Sequence, residues 1–332
     1  MRDRYKSLPT DVTPRPPPRR RSPNLRPGLD GTPEPRLPLG RPLTKASAGV
    51  SLMLYVAFTG AFFIADAVLL HRLSDQGIRL WVSLRTGLLF GLFFVTFGVD
   101  QALLRQPLPL RRIVGPAMAQ CVLGSTFYFV ILRYVVRLDF PFLALPLLML
   151  LSYSALLGGY LRSQYLLVRS QIAINGWRAV TLVVVSVAVL TSHYSVATVA
   201  AYLLLGCPVC LCALIGAKRH GVTTDAHSAD RYHRLFPLSS RFWLLGLVAA
   251  GLSYLDQLVL AADASAAATA TYFRYATYFV TVSTLATSAA AQVLNPYIRS
   301  YQGTIAELSA RLSRFNLWST AALAVASPMC AL

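Results

Sequence analysis

From Ser47 onward the chain alternates long apolar runs with short polar connections. The runs at 47–70, 80–102, 113–132, 141–161, 172–191, 197–217, 242–262 and 271–295 are each close to the ~20 residues a helix needs to cross a hydrocarbon core, and a ninth begins at 315. A chain that is 55% hydrophobic and 13% charged, with a mean hydropathy of +0.53, carries more apolar surface than a water-facing globule of this size can hide. The expected fold is therefore all-α, a polytopic membrane protein.

The polar connections set the orientation. Residues 1–46 form a Pro/Arg-rich tail, and its first 45 positions hold 11 of the 20 prolines and 11 of the 31 basic residues. That composition predicts disorder, and the tail lacks the apolar middle and cleavage site of a secretory signal. Either it is a cytoplasmic tail drawn to anionic headgroups or translation starts further downstream. With the N-terminus inside, the cytoplasmic segments carry 24 Lys and Arg; the opposite loops carry only Arg72, Arg79, Arg133 and Arg137. Without the tail the asymmetry is still 13 against 4, which is the pattern of cytoplasmic loops. The net charge of +18 thus reads as topology, and no nucleic-acid partner is expected.

Six ionisable residues fall inside the runs: Asp66, Arg85, Asp100, Arg178, Asp256 and Arg274. A charge at the centre of a membrane helix costs about 2.5–3.5 kcal/mol on insertion scales, so these groups are expected to face a cavity or one another. Asp66 and Arg85 lie at matching depth near the outer ends of consecutive antiparallel runs, and so do Asp256 and Arg274. The spacing recurs, 19 positions in the first case and 18 in the second, and Gln101 and Pro107 after the first pair are echoed by Gln292 and Pro296 after the second. A parallel repeat of two six-helix halves is expected from this, against the alternative of chance alignment.

Other features have two readings each. Asp100 and Gln101 either line a polar path or let Asp100 meet Arg105 or headgroup water. Arg178, beside Asn175 and Trp177, is either an interfacial anchor or a ligand. Tyr272, Tyr275 and Tyr278 either stack sugar rings along one wall or belong to an aromatic belt. His220, His227 and His233 read as surface residues without metal spacing. Cys207 and Cys210 make a CxxC, but without a second pair it reads as buried apolar cysteine, and no metal or other cofactor is expected.

The chain has no Gly-rich phosphate loop, paired-carboxylate motif or nucleophile triad, so catalysis is the weaker class and an enzyme is not expected. Alternating access between two bundles fits better, with arginines holding an anionic headgroup through forked, permanently charged donors. The stretch Phe97–Arg105 resembles the end of the second helix in polysaccharide and O-antigen flippases of the multidrug/oligosaccharidyl-lipid/polysaccharide exporter superfamily. Gly158–Ala179 is similar to their helix 4–5 junction, while Leu255–Leu260 and Tyr272–Phe279 resemble their helices 7 and 8; the likeness covers roughly residues 47–314.

The resemblance implies a MATE-like fold, with a six-helix first bundle at 47–217, a cytoplasmic linker at 218–241 and part of a second bundle at 242–332. It also implies movement of undecaprenyl-diphosphate-linked sugars to the outer leaflet of the inner membrane. Arg85 and Arg274 become candidate cavity cations, Asp66 and Asp256 their charge partners or ion-coupling groups, and Asp100, Arg178, Tyr275 and Gln292 further candidates. The expected partners are the lipid-linked saccharide, membrane lipids and polysaccharide assembly proteins. The family pattern runs to twelve or more helices, beyond the ninth run begun here. Two other readings stay open: an exporter of small amphipathic compounds, and a non-transporting scaffold of a polysaccharide assembly complex.

Overall fold

The computed structural model describes residues 45–106, 108–164, 166–192, 194–214 and 232–277, together with 310 and 313. The tail, most of the 218–241 linker, Pro107, His220, His227, Tyr278, Gln292, Pro296 and the ninth run lie outside the described residues.

Every regular element among the described residues is helical. In chain order they are α1 (Lys45–Arg72), α2 (Asp75–Thr96), α3 (Val99–Arg105), α4 (Leu110–Val130), α5 (Ala144–Ser163), α6 (Leu167–Leu190), α7 (Val196–Gly206) and α8 (Phe236–Asp263). A ninth helix, α9, runs from 266 to the end of the described stretch at 277. Six segments are long and apolar enough to cross a membrane: Gly49–Arg72, Asp75–Thr96, Leu110–Val135, Ala144–Ser163, Leu167–Leu190 and Tyr232–Asp263. The protein is an all-α, multi-pass membrane protein.

Three details differ from the pattern of apolar runs. The run at 80–102 is two helices, because Phe97 and Gly98 are both left-handed (φ 50° and 67°) and break it between α2 and α3. Side chains take up the backbone groups freed near the break, as a membrane interior demands. Trp243 Nε1 donates to the Phe94 carbonyl at 3.2 Å, and Gln120 Nε2 donates to the Val95 and Thr96 carbonyls at 2.9 Å each. Second, α4 continues through a π turn, Ile131–Val135. Third, α7 is only 11 residues long and passes into a 3-10 segment, Cys207–Leu214, in which Pro208 has no backbone N–H to give. Because a 3-10 turn rises ~2.0 Å per residue against ~1.5 Å in an α-helix, the composite rod still reaches roughly 30 Å.

Packing divides the helices around α2, which is buried on nearly its whole circumference. The α1 backbone lies along α6, while that of α2 lies along α8, with α5 and α4 on its other sides. The α2–α8 joint runs antiparallel over its full length, from Arg79 against Ala261 through Thr86 against Gln257 to Phe94 against Trp243. It is tightest at Gly98, where a Cβ would lie 2.5 Å from the Ser239 carbonyl oxygen and 2.7 Å from the Trp243 backbone nitrogen.

Candidate functional site

Although α1 and α2 are joined by the two residues Leu73 and Ser74, their backbones part company, and what lies between them is mostly side chains. One face of α1 presents Tyr55, Thr59, Phe62 and Asp66, at steps of four, three and four residues, and all four are buried. This face meets α2, α6 and α8 along a seam.

At the head of the seam, Asp66 Oδ2 stands 3.0 Å from Arg85 Nε, with side chains 1% and 6% exposed. The Trp81 indole donates to the other carboxylate oxygen at 2.9 Å, and the Arg85 guanidinium sits 5.8 Å from the Phe62 ring centroid. The Asp66–Arg85 contact is an ion pair without an aligned hydrogen bond, since neither Oδ2 nor Nε meets hydrogen-bond geometry. The first pair expected from matching depth is thus joined.

Further along, Phe62 meets Trp177 edge to face at 5.0 Å. Arg178 Nη1 donates to Thr59 Oγ1 at 2.8 Å, and its guanidinium is 5.9 Å from the Tyr55 ring. From α8, the buried Tyr254 lies within electrostatic reach of Arg178, Arg85 and Tyr55. Two cations and two tyrosines from four helices therefore lie along one seam, with Arg178 half-buried and the other three buried. Arg178 is half-buried and turned toward α1, where it meets Thr59. Tyr55, Thr59, Trp81 and Tyr254 were not marked by charge; the sequence signal for the first two was the apolar–polar face of α1, and for Trp81 its place one turn before Arg85.

The second expected pair is not formed. Asp256 is exposed and accepts from the Tyr272 hydroxyl at 2.8 Å, while Arg274 Nη2 reaches Asp75 Oδ1 at 3.0 Å with both side chains over 40% exposed. The reason lies in register within two otherwise matched hairpins. Ser74 Oγ caps α2 by accepting from Gly77 N at 3.3 Å, and Ser265 Oγ caps α9 by accepting from Ala268 N at 3.2 Å. Seven residues past each serine an aromatic donor, Trp81 or Tyr272, bonds the aspartate of the preceding helix. Arg85 then follows Trp81 by four residues and shares its face, whereas Arg274 follows Tyr272 by two and is turned roughly 200° away.

The remaining candidates lie apart from the seam. Asp100 accepts from Gln101 Nε2 at 2.8 Å and feels Arg162 of α5, not Arg105. Tyr275 is exposed on α9, and His233 is exposed ahead of α8. Cys207 and Cys210 are buried and Cys212 exposed, and among the described residues no cluster of His, Cys, Asp and Glu could hold a metal ion.

Comparison of the chain with models of known families, with characterised proteins and with solved structures gives no match.

Proposed function

We propose that this protein moves a polyprenyl-diphosphate-linked saccharide from the inner to the outer leaflet of the cell membrane by alternating access, with its N-terminus in the cytoplasm. The observation that carries this reading is the seam: a buried Asp66–Arg85 pair at its head and Arg178 within it, held between the α1–α6 and α2–α8 pairs. Intramembrane charges of this kind mark substrate or ion pathways, and forked guanidinium groups suit a diphosphate. Tyr55 and Tyr254 add aromatic faces and hydroxyls beside the cations, a combination that suits a headgroup carrying both phosphate and sugar. The basic asymmetry of the connections supports the orientation, and the resemblance of Phe97–Arg105, Gly158–Ala179 and Tyr272–Phe279 to polysaccharide flippases supports the cargo and a MATE-like arrangement.

The test deletes the gene, restores this chain alone, and measures lipid-linked saccharide on the cytoplasmic leaflet. Clearance is expected with the wild type and accumulation with Arg85→Ala inserted at normal level. Clearance at the wild-type rate by Arg85→Ala would refute the assignment.

A further inference from the structure

We infer that Asp66, Arg85 and Trp81 form a releasable pin that holds the seam shut at its head, and that an anionic ligand opens it by taking Arg85 from Asp66. The inference rests on the alternating-access reading above and names its coupling element.

Three observations converge on it. The first is architectural: α1 is committed to α6 along its backbone, whereas α2 is committed to α8. Beyond the Leu73–Ser74 link, a buried polar bridge between α1 and α2 is the Asp66 carboxylate, held by Trp81 and Arg85. Parting α1 from α2 therefore requires these contacts, which sit at one level, to break.

The second is the state of the pair. Its closest atoms are 3.0 Å apart but not aligned for a hydrogen bond, and both are otherwise unsatisfied in a fully buried setting. Such a pair is neutral as a unit, yet it does not reach the geometry that best offsets desolvation. A phosphate oxygen presented along the seam would satisfy the guanidinium better, through two parallel N–H donors. Asp66 would keep its Trp81 hydrogen bond when Arg85 leaves, so the exchange does not strand a bare carboxylate.

The third is that the rest of α2 is anchored elsewhere. Arg79 donates from Nε and Nη2 to the Ala261 and Ala262 carbonyls at 2.9 and 3.0 Å, and Thr86 donates to Gln257 at 3.2 Å. These bonds keep α2 with α8 when the pin releases; because α5 packs on both α2 and α6, the parting is between α1 and α2. A ligand can shift this balance only by its preference for one state, and a better partner for Arg85 in the open state supplies it.

Ile78 reports on the pin. It is fully buried, and it precedes Trp81 by three residues and Arg85 by seven, which places it on the same face of α2 between the pin and the link. The experiment introduces Ile78→Cys into the full chain with its native cysteines replaced, reconstitutes it in vesicles, and follows labelling by a membrane-impermeant maleimide added at the face carrying the Leu73–Ser74 link. Geranylgeranyl diphosphate is the ligand probe, with geranylgeraniol as its uncharged control.

Labelling of the parent is expected to be slow, and to rise with the diphosphate but not the alcohol. Asp66→Asn, which leaves Arg85 buried and uncompensated, is expected to label about tenfold faster or more without any probe. Adding Arg85→Gln to Asp66→Asn removes the stranded charge and is expected to restore slow labelling that no longer responds to diphosphate. This rescue separates release of a pin from general unfolding. Equal labelling of the parent and Asp66→Asn overturns the pin, and so does fast labelling of Asp66→Asn that the second substitution leaves unchanged. A chain that clears no lipid-linked saccharide in cells but shows the full labelling pattern keeps the pin and overturns only the cargo.

Discussion

The α2–α8 joint can be challenged at Gly98. Replacing it with alanine puts a methyl group where the backbone of α8 already stands, 2.5 Å from the Ser239 carbonyl oxygen and 2.7 Å from the Trp243 nitrogen. Neither is the far end of a flexible side chain, so α8 or the α2–α3 break must move. The left-handed conformation, φ 67°, adds a cost of about 1–2 kcal/mol for a residue with a Cβ. Overpacking against fixed backbone costs about a further 1–3 kcal/mol. The expected loss is therefore about 2–5 kcal/mol, a large share of the stability of a typical domain. It is to be read as the midpoint of unfolding when the purified protein in mild detergent is titrated with sodium dodecyl sulfate. Gly251→Ala is the control, because a Cβ there meets nothing within 4 Å on the same helix α8, and the better helix propensity of alanine makes it neutral or stabilising by at most about 1 kcal/mol. If both variants unfold at the same midpoint, the close approach at the break is not what joins these helices.

Two further substitutions test the opposite end of the joint and the register of the second hairpin. Arg79→Ala removes two charge-assisted bonds to the last-turn carbonyls of α8 and is expected to lower stability by about 2 kcal/mol in the same titration; an unchanged midpoint would mean that water satisfies those carbonyls equally well. Arg274→Ala breaks a pair exposed by 42% and 46%, so stability is expected to change by less than about 1 kcal/mol, and saccharide clearance is expected to stay far closer to wild type than with Arg85→Ala. Equal loss of clearance from both arginines would return Arg274 to the site.

The main pair was legible because depth along an antiparallel hairpin is set by counting residues from the turn. Counting placed Asp66 and Arg85 at one level, and with Trp81 one turn away they also share a face. The same count placed Asp256 and Arg274 at one level, but it carries no information on azimuth, and two positions of offset within α9 were enough to separate them. The break at Phe97–Gly98 was hidden because both halves are apolar, and hydropathy does not register a backbone angle. The contribution of Tyr254 was hidden for a different reason: it depends on α8 packing against α2 from more than 150 residues away in the chain, and nothing local encodes that.

The unusual partnership of α1 also bears on how the protein is made. Its backbone partner α6 begins at Leu167, 95 residues after α1 ends at Arg72, whereas Arg85 follows Asp66 by only 19. At synthesis rates of roughly 5–20 residues per second, the cation arrives within about 1–4 seconds and the packing surface only after about 5–19. During that interval α1 would enter the bilayer carrying a carboxylate it could not otherwise bring in cheaply, and the hairpin with α2 supplies the neutral unit that lets it wait there for α6.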